Sequence, residues 1–238
     1  MSQPGSQGDE GIRLGRVLGL FAKQPRAGLV KTRLAAASSP EWAARVAHAL
    51  LLDTVGRLSA VAARRVLAFS PAEAAPFFAG LAAGRFATAP QAPGNLGRRM
   101  HAFFAEHLAA GARQVVVLGT DSPTVPLAFI EQAFAELERA DVVIGPATDG
   151  GYYLVGCAGR VAPIFDGVAW GSSRVLADTV ARLGEGGGRL ALLPPWYDVD
   201  TPDDWCVLRG HVAAMRRAGL EPGLPSLEPL IALETSSN

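Results

Sequence analysis

Basic side chains are concentrated in one short segment of a chain that carries no net charge, with 22 Lys and Arg against 22 Asp and Glu residues. Residues 23–33 hold four cations: Lys23, Arg26, Lys31 and Arg33. Arginine forms forked hydrogen bonds to phosphate oxygens, lysine supplies a point charge, and a residue such as Gly28 lets the main chain approach them. The segment predicts a diphosphate site, although a solvated basic turn would have the same composition.

This basic segment differs from the common nucleotide-binding loops. Val30 stands immediately before Lys31, where a P-loop has glycine. No Gly-x-Gly-x-x-Gly follows the first predicted strand either, so a dinucleotide site has little support. Phosphate recognition must therefore come from the local cluster of side chains, because the chain as a whole has no positive field.

Two carboxylates occupy positions that suit a hard divalent cation. Asp121 lies two residues beyond the most apolar predicted strand, residues 114–119, where a carboxylate without a partner is costly. An Asx-type turn is its structural alternative. Asp200 lies in the acidic segment 197–205. Carboxylate oxygens are the ligands that Mg²⁺ or Mn²⁺ prefers, so we predict a metal site at these two residues.

The acidic segment also contains the start of a helix. Thr201 fits the N-cap, Pro202 the first helical position, and Asp204 the third position of a capping box. Asp198 and Asp200 have no role in capping, and their alternation places them on one face of an extended segment. Asp200 is therefore the predicted second metal ligand.

A third loop holds Asp149, two glycines and two tyrosines in succession. The glycines permit a tight turn and the close approach of a substrate, but Asp-Gly-Gly is also common in hairpin turns. Both interpretations stay open. We predict that Gly150, Gly151 and Tyr152 contact the substrate, and side-chain alternation places one of the two tyrosines in the core.

Three further residues are weaker candidates. Asn95 and Gly97 lie in a segment, residues 94–99, that would bring two more cations to an anionic ligand, although Asn95 also fits a helix N-cap. Ser173 precedes a predicted helix and fits either a cap or a substrate contact. We assign Asn95 and Gly97 to the nucleotide site and Ser173 to the substrate site.

The elements that must position these residues alternate between strands and helices. Strands are predicted at residues 16–22, 65–70, 85–89, 114–119, 141–145, 152–155 and 190–193. Helices are predicted at residues 40–60, 72–83, 96–109, 126–139, 173–183 and 203–218. This alternation predicts an α/β fold with a mainly parallel sheet, in which ligands bind beyond the carboxyl ends of the strands where the strand order reverses.

The composition of the chain and its two ends set further limits. Residues 1–14 are rich in polar residues and glycine and lack the apolar stretch of a signal peptide, so we expect a disordered leader. Residues 15–220 fit a single domain, and residues 221–238 fit an irregular tail. No apolar run reaches the ~18 residues of a membrane span, which predicts a cytoplasmic protein without a membrane partner. The absence of a basic excess argues against nucleic acid as a partner.

The motifs taken together are more specific than any one of them. The sequence holds, in order, FAKQPRAGLVKTRL from residue 21, GNLGRRM from 94, GTDSP from 119, GPATDGGYYL from 145 and DVDTPDD from 198. This order resembles the rSAM/selenodomain-associated transferase 1 family, a branch of the GT-A-like glycosyltransferase and nucleotidyltransferase superfamily, over residues 17–205. It is also similar to the guanylyltransferases of deazaflavin cofactor synthesis.

The resemblance implies a GT-A-like three-layer αβα fold with a mixed, mainly parallel central sheet. It also implies a nucleotide on the N-terminal half of the sheet and a metal ion between Asp121 and Asp200. In GT-A glycosyltransferases an Asp-x-Asp motif often holds the metal, whereas here Ser122 and Pro123 follow Asp121. The second ligand must therefore come from another segment.

Three functions are compatible with these residues. In a glycosyltransferase acting from an NDP-sugar onto a small-molecule acceptor, the metal and Lys31 would stabilise the leaving NDP, and Asp149 would act as general base. In a nucleotidyltransferase, Lys23, Lys31 and Arg33 would hold an NTP while a phosphorylated acceptor displaces pyrophosphate. A nucleotide sensor without turnover would not need several carboxylates at strand ends. We expect the glycosyltransferase, with the nucleotidyltransferase as its alternative.

Overall fold

The structure, a computed structural model, describes residues 15–36 and 38–235, so the predicted leader lies outside the described residues. Seven strands form one sheet: β1 (Arg16–Lys23), β2 (Arg64–Ser70), β3 (Ala87–Pro90), β4 (Gln114–Leu118), β5 (Val142–Pro146), β6 (Tyr152–Ala158) and β7 (Leu190–Leu192). Eight α-helices are seen in this part of the chain: α1 (Thr32–Ala35), α2 (Pro40–Leu58), α3 (Ala75–Ala82), α4 (Leu96–Ala109), α5 (Leu127–Glu136), α6 (Val175–Gly186), α7 (Pro202–Arg217) and α8 (Glu228–Thr235). Every predicted strand and helix is present, and a 3₁₀ turn, Ala72–Ala74, precedes α3.

The strand order is β3-β2-β1-β4-β6-β5-β7. All neighbouring strands are parallel except β6, which runs antiparallel to both β4 and β5. The chain moves outward from β1 to β2 and β3, then returns to the other side of β1 with β4. The strand order therefore reverses beside β1, and the carboxyl ends of β1, β2 and β4 flank the crevice where such folds bind ligands.

Helices cover both faces of the sheet because the strand residues alternate between two cores. Leu18 and Leu20 of β1 belong to a cluster with residues of α2, α3 and α5, including Leu51, Phe78 and Phe134. Val17 belongs to the opposite cluster, which contains residues of α4 and α6. All five residues of β4 are buried, as its apolar run predicts for a central strand. The three-layer α/β arrangement with a mixed, mainly parallel sheet is confirmed.

The prediction of an irregular C-terminal tail is wrong where the chain forms α8. The start of the tail packs Leu224 and Leu227 into a third cluster, where α8 adds Leu230 and Ile231 against Trp205 and other residues of α2 and α7. Pro229 is the second residue of α8, and proline fits the first turn of a helix because its missing N–H has no partner there in any case. None of the helices among the described residues has the length and apolar content needed to cross a bilayer.

Candidate active site

A cleft of about 350 Å³ lies at the carboxyl ends of β1, β2 and β4, where the strand order reverses. Its walls come from the segment after β1, the end of β2, the first turn of α4 and the segment after β4. The charged residues that line it are Lys23, Lys31, Arg99, Asp121 and Asp200. Residues far apart in sequence therefore meet at one place, and this volume is in the range of small-molecule sites.

Lys31 lies at the centre of this charge arrangement. Its ammonium donates hydrogen bonds to Oδ1 of Asp121 and, at 2.5 Å, to Oδ1 of Asp200. The Lys31 side chain is only 6% exposed, whereas the Asp121 and Asp200 side chains are 44% and 42% exposed. The two predicted metal carboxylates thus converge on one point, and each keeps part of its surface open to the cleft.

The backbone at Lys31 explains how its side chain reaches this point. Lys31 has φ 48° and ψ 42°, a left-handed conformation that residues other than glycine seldom adopt, and it immediately precedes the short helix α1. Burial alone would lower the pKa of the Lys31 ammonium, but the charges and hydrogen bonds of Asp121 and Asp200 outweigh burial and raise that pKa above its usual value. Lys31 is therefore a fixed cation at neutral pH.

The rest of the basic segment contributes unequally. Lys23 lines the cleft, and its ammonium donates a hydrogen bond of 2.7 Å to the carbonyl of Leu29. Gly28 adopts φ +75° in the turn between them, with open space around its Cα. Arg33 is exposed on α1 and is not among the residues that line the cleft. The structure brings Lys23 and Lys31 together, but not Arg33.

At the start of α4 the structure assigns structural roles to both predicted nucleotide contacts. Asn95 caps the helix by accepting a hydrogen bond of 3.0 Å from the backbone N–H of Arg98. Gly97 is buried, and a Cβ there would lie 2.5 Å from both the carbonyl oxygen of Phe165 and the indole nitrogen of Trp170. Close packing therefore explains why residue 97 is a glycine. From this turn it is the side chain of Arg99 that lines the cleft. We assigned no site role to Arg99, although Gly97 and Arg99 share the same short motif.

The Asp149 turn connects β5 to β6. Asp149 is exposed, and its Oδ1 accepts a hydrogen bond of 2.8 Å from the N–H of Gly151, an Asx-type bond that stabilises the turn. Gly150 has φ +90°, and a Cβ there would lie 2.2 Å from the carbonyl oxygen of Ser173. The N–H of Leu176 in α6 also donates to the carbonyl of Gly150 at 2.9 Å. Packing of the turn against the start of α6 thus explains Gly150, whereas a Cβ at Gly151 would meet only the Asp149 carboxylate, with Oδ1 at 3.1 Å.

Two further predicted substrate residues, Tyr152 and Ser173, lie near this turn. The Tyr152 ring packs edge-to-face with Trp170, and its hydroxyl is buried beside Thr179, so this placement argues against direct contact with a substrate. Burial also raises the pKa of the Tyr152 phenol. Ser173 is exposed next to Gly150 but does not cap α6, because Arg174 occupies the N-cap position. Tyr153 is the core tyrosine that alternation predicts, at 4% exposure.

The family of this chain emerges from comparison with known proteins. The sequence profile of a family described as "Uncharacterized protein conserved in bacteria (DUF2064)" matches residues 51–172, which is more than half of the chain. The chain belongs to the DUF2064 family. No curated protein matches the sequence of this DUF2064 member.

Solved structures extend the comparison. A protein from Desulfovibrio desulfuricans G20, provisionally described as a nucleotide-diphospho-sugar transferase, is 30% identical to this DUF2064 chain, with a TM-score of 0.81. The similarity covers 92% of this chain and 97% of that one. A CMP:2-keto-3-deoxy-manno-octonic acid synthetase complexed with CTP has a TM-score of 0.54 at 13% identity, over 84% and 98% of the two chains. A 4-diphosphocytidyl-2C-methyl-D-erythritol synthase from Anaerococcus prevotii DSM 20548 has a TM-score of 0.55 at 8% identity, over 85% of this chain and 99% of that one. The last two share the fold alone.

The DUF2064 chain has a further carboxylate at the site, to which we assigned no role. Asp198 accepts a hydrogen bond from the Ser122 hydroxyl, while Val199 points into the core and donates its N–H to the carbonyl of Asp121 at 2.8 Å. The alternation of the segment therefore places Asp198 and Asp200 on the site side, as predicted. Burial, together with the charges of Asp121, Asp149 and Asp200, raises the pKa of Asp198 to about 7. The predicted capping box of Thr201 and Asp204 is confirmed beside it.

The donor set of this DUF2064 site suits a divalent cation that arrives with phosphates. Within the described ranges, no group of three or more His, Cys, Asp and Glu residues could hold a metal ion. Mg²⁺, however, usually binds through one or two carboxylates, substrate phosphates and water. Asp121 and Asp200 supply two convergent, half-exposed carboxylates. The Lys31 ammonium lies between them, which shows that this position favours a positive charge. These residues therefore fit an Mg²⁺ or Mn²⁺ ion, whose binding stays a prediction.

Proposed function

We propose that this protein is a metal-dependent transferase that uses a nucleotide-activated donor, and specifically a glycosyltransferase acting from an NDP-sugar onto a small-molecule acceptor. The observation that carries the proposal is the cleft at the reversal of the strand order, in which Lys31 is shared by Asp121 and Asp200. A cation and two open carboxylates at this edge fit a diphosphate together with a divalent ion.

Similarity to other proteins supports the same class. The Desulfovibrio protein, described as a nucleotide-diphospho-sugar transferase, matches this chain over nearly the full length of both. The motif order that resembles the rSAM/selenodomain-associated transferase 1 family also favours sugar transfer. The donor would bind in the cleft at the ends of β1, β2 and β4. The acceptor would bind beside it, near the β5–β6 hairpin that carries Asp149.

The side chains of the cleft would act mainly by electrostatics. Lys23 and Lys31 would neutralise the diphosphate and stabilise the charge that develops on the leaving NDP. Asp121 and Asp200 would hold the divalent ion, which supplies Lewis-acid stabilisation of the same oxygens. Lys31 stays protonated in this role because the charges of Asp121 and Asp200 raise its pKa.

Asp149 is the proposed general base for the acceptor. It is exposed on the β5–β6 hairpin, and it is near enough to the acidic cluster for its charge to affect the pKa of Asp198. A carboxylate in this position could accept the proton of an acceptor hydroxyl as the sugar is transferred. The hydrogen bond from the Gly151 N–H would hold the carboxylate in one orientation.

A nucleotidyltransferase is the second candidate. Three cations, Lys23, Lys31 and Arg99, line one cleft, and this number suits a triphosphate as well as a diphosphate. In this reaction a phosphorylated acceptor would attack the α-phosphate and release pyrophosphate, with Lys31 and the divalent ion stabilising the leaving group.

The by-product of turnover separates the two reactions. The purified protein would be incubated with Mg²⁺ or Mn²⁺, a panel of NDP-sugars and a panel of NTPs, with small-molecule acceptors in each. Release of NDP supports sugar transfer, and release of pyrophosphate supports nucleotidyl transfer. Binding of nucleotides without any product from either panel would contradict an enzymatic role and favour a sensor.

The base is tested by Asp149→Asn, a substitution that keeps an oxygen for the Gly151 N–H and so preserves the turn. We expect turnover to fall by about 10²–10⁴-fold with little change in donor binding, because general-base catalysis typically contributes that much. Full turnover by the variant with a bound acceptor would show that Asp149 is not the base.

A further inference from the structure

The guanidinium of Arg99 is held rigidly at the edge of the cleft. Its Nε donates to the carbonyl of Gly94 at 2.8 Å, and its Nη1 donates to Oε1 of Gln91 at 3.2 Å and to Oγ of Ser70 at 3.5 Å. Gln91 is fixed in turn, because its amide donates at 2.8 Å to the carbonyl of Ala68 in β2. Among the described residues, none accepts a hydrogen bond from Nη2 of Arg99. The fold therefore positions one pair of N–H donors and leaves them for a ligand.

Apolar side chains stand next to this donor pair. Leu96 and Leu29 line the same cleft, and at 45% and 55% exposure they present apolar surface to it. Leu96 and Arg99 are three residues apart on α4, so they lie on one face of the helix. A flat, partly apolar ligand group could rest on Leu96 while its polar edge meets Arg99. This is the shape and chemistry of a nucleobase rather than of a phosphate.

The position along the sheet edge supports the same assignment. Asp121 follows β4, whereas Ser70, which contacts Arg99, ends β2, and β1 lies between these strands. Two strand spacings of about 4.8 Å therefore separate the carboxylate end of the cleft from the Arg99 end. A nucleotide that places its phosphates at Lys31 and Asp121 would extend its base towards Arg99 and Leu96.

We propose that Arg99 is a specificity-determining residue that selects donors whose base presents a carbonyl oxygen: guanine, cytosine or uracil rather than adenine. This inference rests on the proposed nucleotide-binding function. A guanidinium has donors only and needs an acceptor. Guanine O6, uracil O4 and cytosine O2 are such acceptors, whereas adenine presents its exocyclic amino group as a donor beside its ring acceptors. Where guanine or uracil has a carbonyl oxygen, adenine presents an amino donor, which would face the fixed N–H groups of Arg99.

The experiment measures the binding of GDP, CDP, UDP and ADP, each with Mg²⁺, to the full-length protein by calorimetry. The variants are Arg99→Met and Arg99→Lys, with Arg98→Met as the matched control, because Arg98 is exposed and does not line the cleft. The unfolding temperature of each variant is recorded. The lysine variant keeps the positive charge without the fixed fork, so it separates charge from hydrogen-bond direction even if the methionine variant folds poorly.

We expect the wild type to bind at least one of GDP, CDP and UDP about tenfold more tightly than ADP, as a good base contact typically allows. Arg99→Met and Arg99→Lys should reduce this ratio to within about threefold, and Arg98→Met should leave it unchanged. Preference for ADP in the wild type, or equal weakening of all four ligands by the Arg99 variants, would overturn the inference and indicate a phosphate contact. Absence of binding by all four nucleotides would contradict the proposed function itself.

Discussion

The edge of the sheet at the carboxyl ends of its parallel strands has two halves. The predicted site residues face a cleft in one half and pack against the protein in the other. In the half formed by β1, β2 and β4, the charged side chains Lys23, Asp121 and Asp200 line an open cleft. In the half formed by the β5–β6 hairpin and α6, the predicted site residues are held by the fold itself. Gly150 packs against the backbone of Ser173, and the half-buried Tyr152 packs its ring against Trp170.

The difference shows what a glycine or a tyrosine in a suggestive loop can mean. A residue that is packed against other parts of the protein contributes only to the shape of the site. A side chain that faces the cleft can contact a ligand. Asp149 is the exception in the hairpin half, because it is exposed although its Oδ1 is engaged by the turn. The comparison therefore predicts losses of activity in one half and losses of stability in the other.

The largest effect is expected from the cleft carboxylates. Asp121→Asn and Asp200→Asn should each lower turnover by about 10²–10³-fold, because each removes charge stabilisation at the leaving group. The unfolding free energy should fall by no more than about 1–3 kcal/mol, since each carboxylate is itself about half-exposed, but its loss leaves the buried Lys31 ammonium with one carboxylate partner instead of two. Asp203→Asn, an exposed carboxylate outside the cleft, is the control. Steady-state kinetics and urea denaturation would check this, and a variant that loses stability rather than turnover would break the comparison.

The second effect belongs to the hairpin half. Gly150→Ala should destabilise the protein by about 2–3 kcal/mol, because the new Cβ combines a positive φ with a collision at the Ser173 carbonyl. Gly171→Ala is the matched control, since Gly171 has φ +83° with open space around it and should lose only the conformational part, about 1 kcal/mol. Equal losses in the two variants, measured by chemical denaturation, would show that the contact with Ser173 does not matter.

A third effect sharpens the description of the cleft. Lys31 neutralises Asp121 and Asp200, so it should compete with a divalent cation for the same oxygens. Lys31→Met should therefore bind Mn²⁺ about tenfold more tightly than the wild type in the absence of nucleotide, as measured by calorimetry or electron paramagnetic resonance. Lys23→Met is the control, because Lys23 donates to a backbone carbonyl instead. Weaker Mn²⁺ binding by Lys31→Met would mean that the lysine orients the carboxylates for the metal.

The smallest effect is the pH dependence of stability that His107 contributes. This residue is buried near the end of α4, the helix whose first turn lines the cleft. His107 is 3% exposed, and burial lowers its pKa, with the Arg64 charge acting in the same direction and the Glu106 charge opposing it. On acidification the unfolded chain takes up a proton at about pH 6.5, and folded His107 takes it up only at a lower pH. Stability is therefore lost as the pH falls below about 6.5. His107→Gln should make the fall in Tm between pH 7 and 5 smaller without changing nucleotide binding. An unchanged pH dependence of Tm would contradict this.

Local signals in the sequence predicted many of the elements and some of their contacts. The apolar run of β4 indicated a strand buried on both faces, and Thr201, Pro202 and Asp204 indicated the start of α7, because a capping box depends only on neighbouring residues. The meeting of Asp121 and Asp200 could also be predicted, since both follow segments that end at one edge of a parallel sheet.

The remaining features depend on tertiary contacts that local patterns do not contain. The partner of Gly97 is a tryptophan far along the chain, so a glycine beside a basic pair looks the same whether it faces a ligand or the core. The antiparallel direction of β6 follows from its hairpin with β5, not from its composition. The helix α8 was missed because three prolines near it suggested irregular chain, although Leu227, Leu230 and Ile231 had helical spacing.

The reversed direction of β6 has a consequence for how such a protein can change. Leu154, near the start of β6, pairs with Leu118 at the end of β4, so the hairpin carrying Asp149 arrives beside the Asp121 loop without a crossover helix. The exposed residues before Gly150 can change, or accept an insertion, while Gly150 stays packed against Ser173 and the strands stay in register. If the proposed function holds, relatives could exchange one acceptor for another by changing these residues, while the strands and loops around the cleft remain as they are.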